Sequence, residues 1–285
     1  MTIEKVGLIG IGLLGGSLAE RLLQGGSEVC GFDLDESRRT WLAEVGGHSL
    51  ASTEEVFAGC DLVLLSLPTS AIVREVLSAA REMLRAGQVI VDTTTGDPKD
   101  AVAVNAELVQ REVDYVECNV VGSSEQARHG EAICLLGGYL SAVSRVQPYV
   151  DLLTNAAFHV GDVGTASRMK LAINLALGMH RAALAEALAL AGAAGLDESL
   201  TLQVLKASPA YSRVMDTKGE KMLSGDFTPQ ARLAQHRKDV ELMLQLGERC
   251  GQTLPLTSVH RELLDRAISL GYGDDDNSAI RRAFD

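Results

Sequence analysis

Aromatic residues and basic charge are both scarce in this 285-residue chain. Aromatics make up 4% of it, and 38 Asp and Glu residues outnumber 26 Lys and Arg residues, for a net charge of −12. Proteins that bind nucleic acids need basic side chains to neutralise phosphates, and many stack aromatic rings on the bases. The composition therefore argues against nucleic acid as a partner.

The chain also lacks the cysteine and histidine patterns of metal sites and disulfide frameworks. Its five cysteines are an odd number, are widely spaced and form no CxxC pair, and its six histidines show no HExxH or HxH spacing. Zinc sites and disulfide-rich domains are recognised by such spacings. We therefore expect buried, reduced thiols, no metal site and a cytoplasmic location.

Long apolar runs are missing too, apart from the glycine-rich stretch "GLIGIGLLGGSLAERLL" at residues 7–23. This stretch is too short to span a bilayer. The residues before it carry no net positive charge, and Glu20 and Arg21 stand where a signal peptide would need small residues for cleavage. We expect neither a targeting segment nor a membrane partner.

The first half of the chain alternates between strand-like and helical segments. Runs such as "KVGLIG", "CDLVLLSLP" and "QVIVDTTTG" are apolar throughout, which is typical of parallel strands covered on both faces. This pattern predicts a doubly wound α/β fold. From Thr165 onward the segments are helical. The acidic cluster Asp274–Asp276 is expected to form a solvated turn before a last short helix, with an N-cap for that helix as the alternative role.

Gly10, Gly12 and Gly15 form a G-x-G-x-x-G motif between the first strand and the first helix. In dinucleotide-binding folds the first glycine allows a tight turn, the second lets a pyrophosphate approach, and the third lets helix and strand pack closely. The helix N-terminus supplies N–H groups to the diphosphate. The motif predicts a Rossmann-type domain whose cofactor loop comprises Gly10, Ile11, Gly12, Leu13, Leu14 and Gly15.

Asp33 stands at the end of the second predicted strand, about twenty residues after the motif, where the fingerprint requires an acidic residue. A carboxylate there binds the ribose hydroxyls of the adenosine and repels a 2′-phosphate. NAD is therefore the preferred cofactor. Arg38 and Arg39 follow within about two turns and keep NADP as an alternative.

Lys170 and Asn174 are four residues apart in a strongly helical segment, so they share one face. A lysine can accept the proton of an alcohol and return it, and an asparagine one turn away can orient the same oxygen. By spacing alone this signal is weak, because a lysine and an asparagine on one helix face are more often simply solvated.

The chain resembles the β-hydroxyacid dehydrogenase family, whose members include 3-hydroxyisobutyrate dehydrogenase, tartronate semialdehyde reductase and the glyoxylate/succinic semialdehyde reductases. The likeness runs nearly end to end. It is carried by "GLIGIGLLGGSLA", the "LP" of Leu67 and Pro68, "VDTTTGDP" at 91–98, the segment around Gly122, "VGDVGTASRMKLAIN" at 160–174, "AEALALAGAAGLD" at 185–197, "GDFTP" at 225–229, and Lys238-Asp239.

The resemblance implies an NAD(P)-dependent oxidoreductase acting on a small, anionic β-hydroxy acid. It implies that Lys170 is the acid/base, that Asn174 supports it, and that Thr95 and Lys238 reach the nicotinamide end of the cofactor. Leu67 and Pro68 belong to the cofactor site. The expected domains are a Rossmann domain at 1–162 and an all-helical substrate and oligomerisation domain at 163–285, in a homodimer or homotetramer.

One segment departs from the family. Where the family usually has Asp-Ala-Pro-Val-Ser-Gly-Gly at the substrate carboxylate, this chain has "ECNVVGS" at 117–123, so that Val121 replaces the serine and Ser123 the second glycine. The expected substrate-binding residues are Val121, Gly122, Ser123, Lys170, Asn174 and Lys238. The departure leaves an imine reductase open as an alternative, although such relatives generally lack a lysine at position 170. A second alternative is an NAD-binding protein without catalysis, whose signature would be the loss of Lys170 or Asn174, and both are present.

Overall fold

An eight-stranded sheet forms the centre of the first of two compact units, Met1–Lys170 and Leu171–Asp285, in this computed structural model, which describes residues 5–285. The strands lie in the order β3-β2-β1-β4-β5-β6-β7-β8. Their bounds are β1 Lys5–Ile9, β2 Glu28–Phe32, β3 His48–Ser49, β4 Leu62–Leu65, β5 Val89–Asp92, β6 Asp114–Val121, β7 Ile133–Gly137 and β8 Ala156–Gly161.

Helices cover both faces of this sheet, which explains why its strands are apolar throughout. One core cluster includes Leu8 and Val116, and a second, on the opposite face, includes Ile9 and Val63. The doubly wound Rossmann fold is thus confirmed. The helices of this unit are α1 Leu13–Gln24, α2 Glu36–Glu44, α3 Thr53–Gly59, α4 Ser70–Ala79, α5 Pro98–Val109, α6 Ser124–Arg128 and α7 Leu140–Leu153.

One pair of strands differs from the predicted parallel arrangement, since β7 runs antiparallel to β6. Only the five-residue helix α6 lies between these two strands. A parallel connection needs a crossover of about a dozen residues or more, usually a full helix packed on the sheet. The short segment returns the chain in the opposite direction instead.

Helix α8, Thr165–Ala193, begins in the first unit, and the division between the units falls inside it, after Lys170. The sequence pattern placed the boundary at residue 162. The start of this helix is held against the sheet, because the buried carboxylate of Glu117 on β6 accepts hydrogen bonds from the backbone N–H of Gly164 (2.6 Å) and of Ser167 (3.2 Å), and from the Ser167 hydroxyl. A carboxylate at a helix N-terminus satisfies donors that have no partner within the helix.

The second unit is helical throughout, with its core around Leu184, Leu202 and Leu264. Its further helices are α9 Glu198–Ala207, α10 Arg213–Ser224, α11 Leu233–Arg249, α12 Pro255–Ser269 and a 3-10 helix at Asn277–Phe284. None of the helices within residues 5–285 combines the length and the apolar character that crossing a bilayer would require.

In the acidic cluster before the 3-10 helix, Asp274 is exposed as a solvated turn predicts, whereas Asp276 caps the helix, as the sequence also suggested, but is buried. Asp276 is fully buried, accepts a hydrogen bond from the backbone N–H of Ser278 as the N-cap, and lies 2.8 Å from Lys218 Nζ. It also accepts from the backbone N–H groups of Gln230 and Ala231. Asp276 therefore joins α10, the segment before α11 and the 3-10 helix.

Candidate cofactor and catalytic site

The three glycines of the motif have different surroundings at the end of β1. Gly10 has φ +92°, and a Cβ there would lie 2.3 Å from the Ser66 carbonyl oxygen. A Cβ on Gly15 would lie 2.0 Å from the carbonyl oxygen of Gly10. Neither position accepts a side chain, whereas a Cβ on Gly12 would meet no atom within 4 Å. The open side of the turn therefore lies at Gly12.

Helix α1 starts directly after this turn, with Gly12 as its N-cap and no side-chain hydrogen bond to its first N–H groups. Uncapped N–H groups and the helix dipole together favour an anion. The residues present thus fit the diphosphate of a dinucleotide. Ile11 plays a different part, because its backbone N–H donates to Asp33 Oδ2 at 2.6 Å.

Asp33 follows β2 and is held beside the glycine turn by two hydrogen bonds. Besides accepting from Ile11, its carboxylate accepts from the backbone N–H of Asp35 through Oδ1 at 2.9 Å. The Arg39 guanidinium donates to the carbonyl oxygens of Asp33 (2.5 Å) and Leu34 (3.1 Å). A carboxylate is therefore fixed beside the glycine turn, at the position predicted for the adenosine ribose, and Arg39 is tied to the backbone there.

The loops after β4 and β5 are joined at the same edge of the sheet. The backbone N–H of Leu67 donates to Thr94 Oγ1 at 3.2 Å, and the Ser70 hydroxyl donates to Asp100 Oδ2 at 2.5 Å. Leu67 and Pro68 are thus brought beside the segment that contains Thr95. In open α/β sheets, ligands bind at the carboxyl ends of the strands, next to the point where the strand order reverses.

Lys170 lies at this edge too. Its side chain is buried, at 6% exposure, and Nζ donates to the carbonyl oxygen of Val120 at 2.6 Å. The last pair between β5 and β6 is Asp92 with Glu117, so residues 118–121 of β6 extend beyond the end of β5. The end of β6 is therefore not paired with β5, and Lys170 Nζ binds a carbonyl oxygen in this unpaired part of the strand.

The segment after β6 is organised by a capping box at the start of α6. Ser123 Oγ accepts from the backbone N–H of Gln126 (3.2 Å), and Gln126 Oε1 accepts from the backbone N–H of Ser123 (2.9 Å). The Ser123 N–H is therefore already engaged, and only its hydroxyl proton is left to donate. Gly122 has φ +153°, and a Cβ there would lie 2.9 Å from the Cβ of Ala132.

In the second unit, a buried carboxylate that sequence reasoning did not select joins two predicted site residues. Asp239 Oδ2 accepts from Asn174 Nδ2 at 3.0 Å, and Asp239 Oδ1 lies 3.0 Å from Lys238 Nζ. The motif Lys238-Asp239 contained the residue, but the sequence could not show that its side chain faces Asn174, because the two are 65 positions apart.

A buried polar seam extends this contact between α8, α11 and α12. Arg181 Nη2 lies 2.9 Å from His236 Nε2, and the His236 and His260 rings are 5.2 Å apart, edge to face. Gly178 leaves room for both rings, since a Cβ there would lie 2.8 Å from His236 Nε2. Neither ring nitrogen of His260 has a hydrogen-bond partner within residues 5–285.

This seam predicts a loss of stability on mild acidification. Burial, followed by the nearby Arg181 guanidinium, lowers the pKa of His260 from 6.5 to about 4. The unfolded chain therefore binds the extra proton at a higher pH than the folded chain, so this part of the stability is present above pH 6.5 and is lost as the pH falls towards 4. Between pH 7 and 4.5 the loss comes to about 2 kcal/mol.

Urea unfolding of the wild type and of His260→Gln at both pH values measures this effect. We expect the variant, which cannot take up the proton, to lose about 2 kcal/mol less than the wild type over that interval. His129→Gln, at an exposed histidine, should follow the wild type. An equal loss in the wild type and His260→Gln would contradict the prediction.

The glycine turn, the fixed Asp33 carboxylate and the order of the strands define a Rossmann-type, NAD(P)-binding protein with a helical second unit. Two family models match the chain. Residues 5–161 match the NAD-binding domain of 6-phosphogluconate dehydrogenase, and residues 164–284 match the NAD-binding domain of NADP-dependent 3-hydroxyisobutyrate dehydrogenase. The chain belongs to the β-hydroxyacid dehydrogenase family, of the 3-hydroxyisobutyrate dehydrogenase type, as its motifs indicated. The members that give this family its name are NAD(P)-dependent dehydrogenases of hydroxy acids.

Named relatives agree with this family. The 2-(hydroxymethyl)glutarate dehydrogenase of Eubacterium barkeri is 30% identical, over 99% of this chain and 95% of its own. Glyoxylate/succinic semialdehyde reductase 2 of Arabidopsis thaliana is 29% identical, over 98% and 79% respectively. The crystal structure of 3-hydroxyisobutyrate dehydrogenase from Salmonella typhimurium superposes with a TM-score of 0.91 at 26% identity, covering 98% of this chain and 99% of that one.

Imine reductases share the fold more distantly. The enzyme from a Pseudomonas species superposes with a TM-score of 0.68 at 22% identity, over 99% of both chains. A likeness at this level of identity shows a shared fold only. It says nothing about whether this chain reduces imines.

Proposed function

We propose that the chain interconverts a small β-hydroxy acid and its semialdehyde or keto form, with Lys170 as the acid/base. The observation that carries this proposal is the buried Lys170 side chain, whose Nζ contacts the Val120 carbonyl oxygen at the carboxyl edge of the sheet. The glycine turn after β1 lies at this same edge. A positioned proton donor or acceptor contributes about 10²–10⁴-fold to catalysis.

When bound, NAD(P) supplies the acceptor for the substrate's hydride. During oxidation, neutral Lys170 Nζ takes the hydroxyl proton, and during reduction its ammonium returns that proton to the carbonyl oxygen. Asn174, one turn further along α8, orients this oxygen, while Asp239 holds the Asn174 amide in place. Holding the reacting groups in a fixed geometry accounts for a large part of such catalysis.

The remaining predicted residues bind the two ligands in this proposal. The cradle of Gly10 to Gly15 holds the diphosphate, Asp33 the adenosine ribose, and Leu67, Pro68 and Thr95 the nicotinamide part. Val121, Gly122 and the Ser123 hydroxyl surround the acidic group of the substrate. Lys238, which is paired with Asp239, holds a further anionic group of substrate or cofactor.

A substrate panel tests the proposed reaction. Small β-hydroxy acids and semialdehydes are offered with NAD and with NADP, cyclic imines are included, and turnover is followed by nicotinamide absorbance. We expect turnover of at least one acid or semialdehyde. Turnover of a cyclic imine with none of the acids would replace the proposal by an imine reductase, and tight cofactor binding without any turnover would replace it by a non-catalytic role.

We also propose that NAD is preferred over NADP, because the fixed Asp33 carboxylate repels a 2′-phosphate. The dissociation constants of NADH and NADPH, measured by fluorescence, should differ by about tenfold or more in favour of NADH. Asp33→Asn removes the charge and should reduce that ratio about tenfold, which corresponds to about 1.4 kcal/mol. Asp35→Asn, at a neighbouring exposed carboxylate, should leave the ratio unchanged. Tighter binding of NADPH than of NADH by the wild type would contradict the proposed preference for NAD.

A homodimer or homotetramer in the cytoplasm completes the proposal. Large apolar side chains of the second unit are exposed within the single chain, among them Leu190, Leu196, Leu200 and Val204. Exposed apolar groups of this size favour a protein interface. The five free cysteines, four of them buried, agree with a reducing compartment.

A further inference from the structure

Asn119 on β6 carries a buried amide that is only half satisfied. The residue is 1% exposed, and its Nδ2 donates to the Thr94 carbonyl oxygen at 3.2 Å. Since a carbonyl oxygen can only accept, this contact fixes which end of the amide is the NH₂ group. Asn119 Oδ1 is then a buried acceptor with no hydrogen-bond partner in the described part of the chain.

Such an acceptor is costly, because nearly all buried polar atoms of native proteins are hydrogen-bonded. An apolar side chain of similar size would avoid the cost, and most neighbouring strand residues are apolar. The amide is therefore explained best by a partner that joins it from outside the polypeptide.

The position of Asn119 identifies where that partner comes from. It lies on the part of β6 that continues beyond the end of β5, and the next residue, Val120, holds Lys170 Nζ through its carbonyl oxygen. Because side chains alternate along a strand, Asn119 shares its face with Val121. The free acceptor thus belongs to the residue directly before the one that holds Lys170, and it lies on the same face of β6 as the apolar residue that replaces the family's serine.

We propose that Asn119 determines substrate specificity, its Oδ1 accepting a hydrogen bond from a donor on the substrate. The inference rests on the proposed function and names its substrate class: 3-hydroxy acids that carry a hydroxyl or ammonium group on C2. The side chain of Val121 has no hydrogen-bond acceptor for such a donor. Asn119, two residues earlier on the same face, makes the polar contact instead. A substrate with a methyl group at C2 would leave Oδ1 buried and unpaired.

Three 3-hydroxypropanoic acids that carry a methyl, hydroxyl or ammonium group on C2 test this role. For the wild type we expect kcat/KM for the better of the two donor-bearing acids to exceed that for the methyl acid by on the order of 10²-fold. Asn119→Leu, of similar size and without the acceptor, should bring this ratio to about one or reverse it. Calorimetric binding of the same acids to the NADH-loaded enzyme, which cannot oxidise them, gives the comparison without turnover.

Thr93→Val is the matched control, because it also removes a buried hydrogen bond, from Thr93 Oγ1 to the Leu65 carbonyl oxygen. It should leave the ratio unchanged. If Asn119→Leu does not fold by circular dichroism, Asn119→Val removes the acceptor with a strand-compatible side chain. Equal ratios in the wild type and the Asn119 variants, in turnover and in binding, would overturn the inference while leaving the proposed reaction intact. Failure of the wild type to turn over any hydroxy acid would instead overturn the proposed function, and the inference with it.

Discussion

Lys170→Ala is expected to lower kcat by about 10²–10⁴-fold while NAD(H) binding stays within about twofold of wild type. The variant loses the group that takes the hydroxyl proton. The cofactor cradle keeps its own contacts, since the bond between Ile11 and Asp33 and the packing of Gly15 on Gly10 do not involve Lys170. Steady-state turnover and NADH fluorescence titration measure the two effects separately.

Lys170→Arg separates proton transfer from a structural role. A guanidinium can still donate to the Val120 carbonyl oxygen, but it does not give up its proton in a protein. We expect this variant to be as inactive as Lys170→Ala, with partial recovery of Lys170→Ala by added small primary amines. Lys99→Ala, at an exposed lysine, should behave as wild type. Near-normal turnover of Lys170→Ala would exclude Lys170 as the acid/base.

Asp276→Asn should lower the free energy of unfolding by about 3–5 kcal/mol, because it leaves a buried Lys218 ammonium without its counter-charge. Burial alone would raise the pKa of Asp276, but the Lys218 charge and the hydrogen bonds from Gln230 and Ser278 outweigh it and hold the pKa below its ordinary value. The charged form is thus favoured in the folded state. Urea unfolding at neutral pH, followed by circular dichroism, measures the change.

Two further variants make this prediction specific to the buried pair. Asp61→Asn breaks an exposed ion pair with Arg85 and should cost under about 1 kcal/mol. Combining Asp276→Asn with Lys218→Met removes the uncompensated charge and should recover part of the lost stability. A change below about 1 kcal/mol for Asp276→Asn alone would show that the pair contributes little.

The cofactor loop could be predicted because its signal is local. Gly10, Gly12, Gly15 and Asp33 occupy fixed offsets along one strand-helix-strand unit, and the structure gives each of them the surroundings that the offsets suggest. The acid/base candidate needed more than spacing. The resemblance to a family is what singled out Lys170 and Asn174 as the acid/base and its support, and the roles of both residues stay predictions.

The residues that sequence reasoning missed are those whose partners lie far along the chain. Glu117 accepts from Gly164 at the start of α8, 47 residues later, and Asp276 meets Lys218 across 58 positions. Asp239, which orients Asn174, was visible only as the second residue of a motif. The antiparallel β7 was missed for a related reason, since an apolar strand reads the same in either direction.

The sequence by itself determined the α/β class, the change to helices near residue 165, the dinucleotide cradle and the family. These follow from periodicity and from short, fixed spacings, which depend only on neighbouring residues. The tertiary structure alone decided which polar side chains are buried, what Lys170 and Asn174 contact, and that the acceptor of Asn119 lacks a partner. Those properties arise when segments distant in the chain meet, and no local pattern encodes which buried group will find a partner.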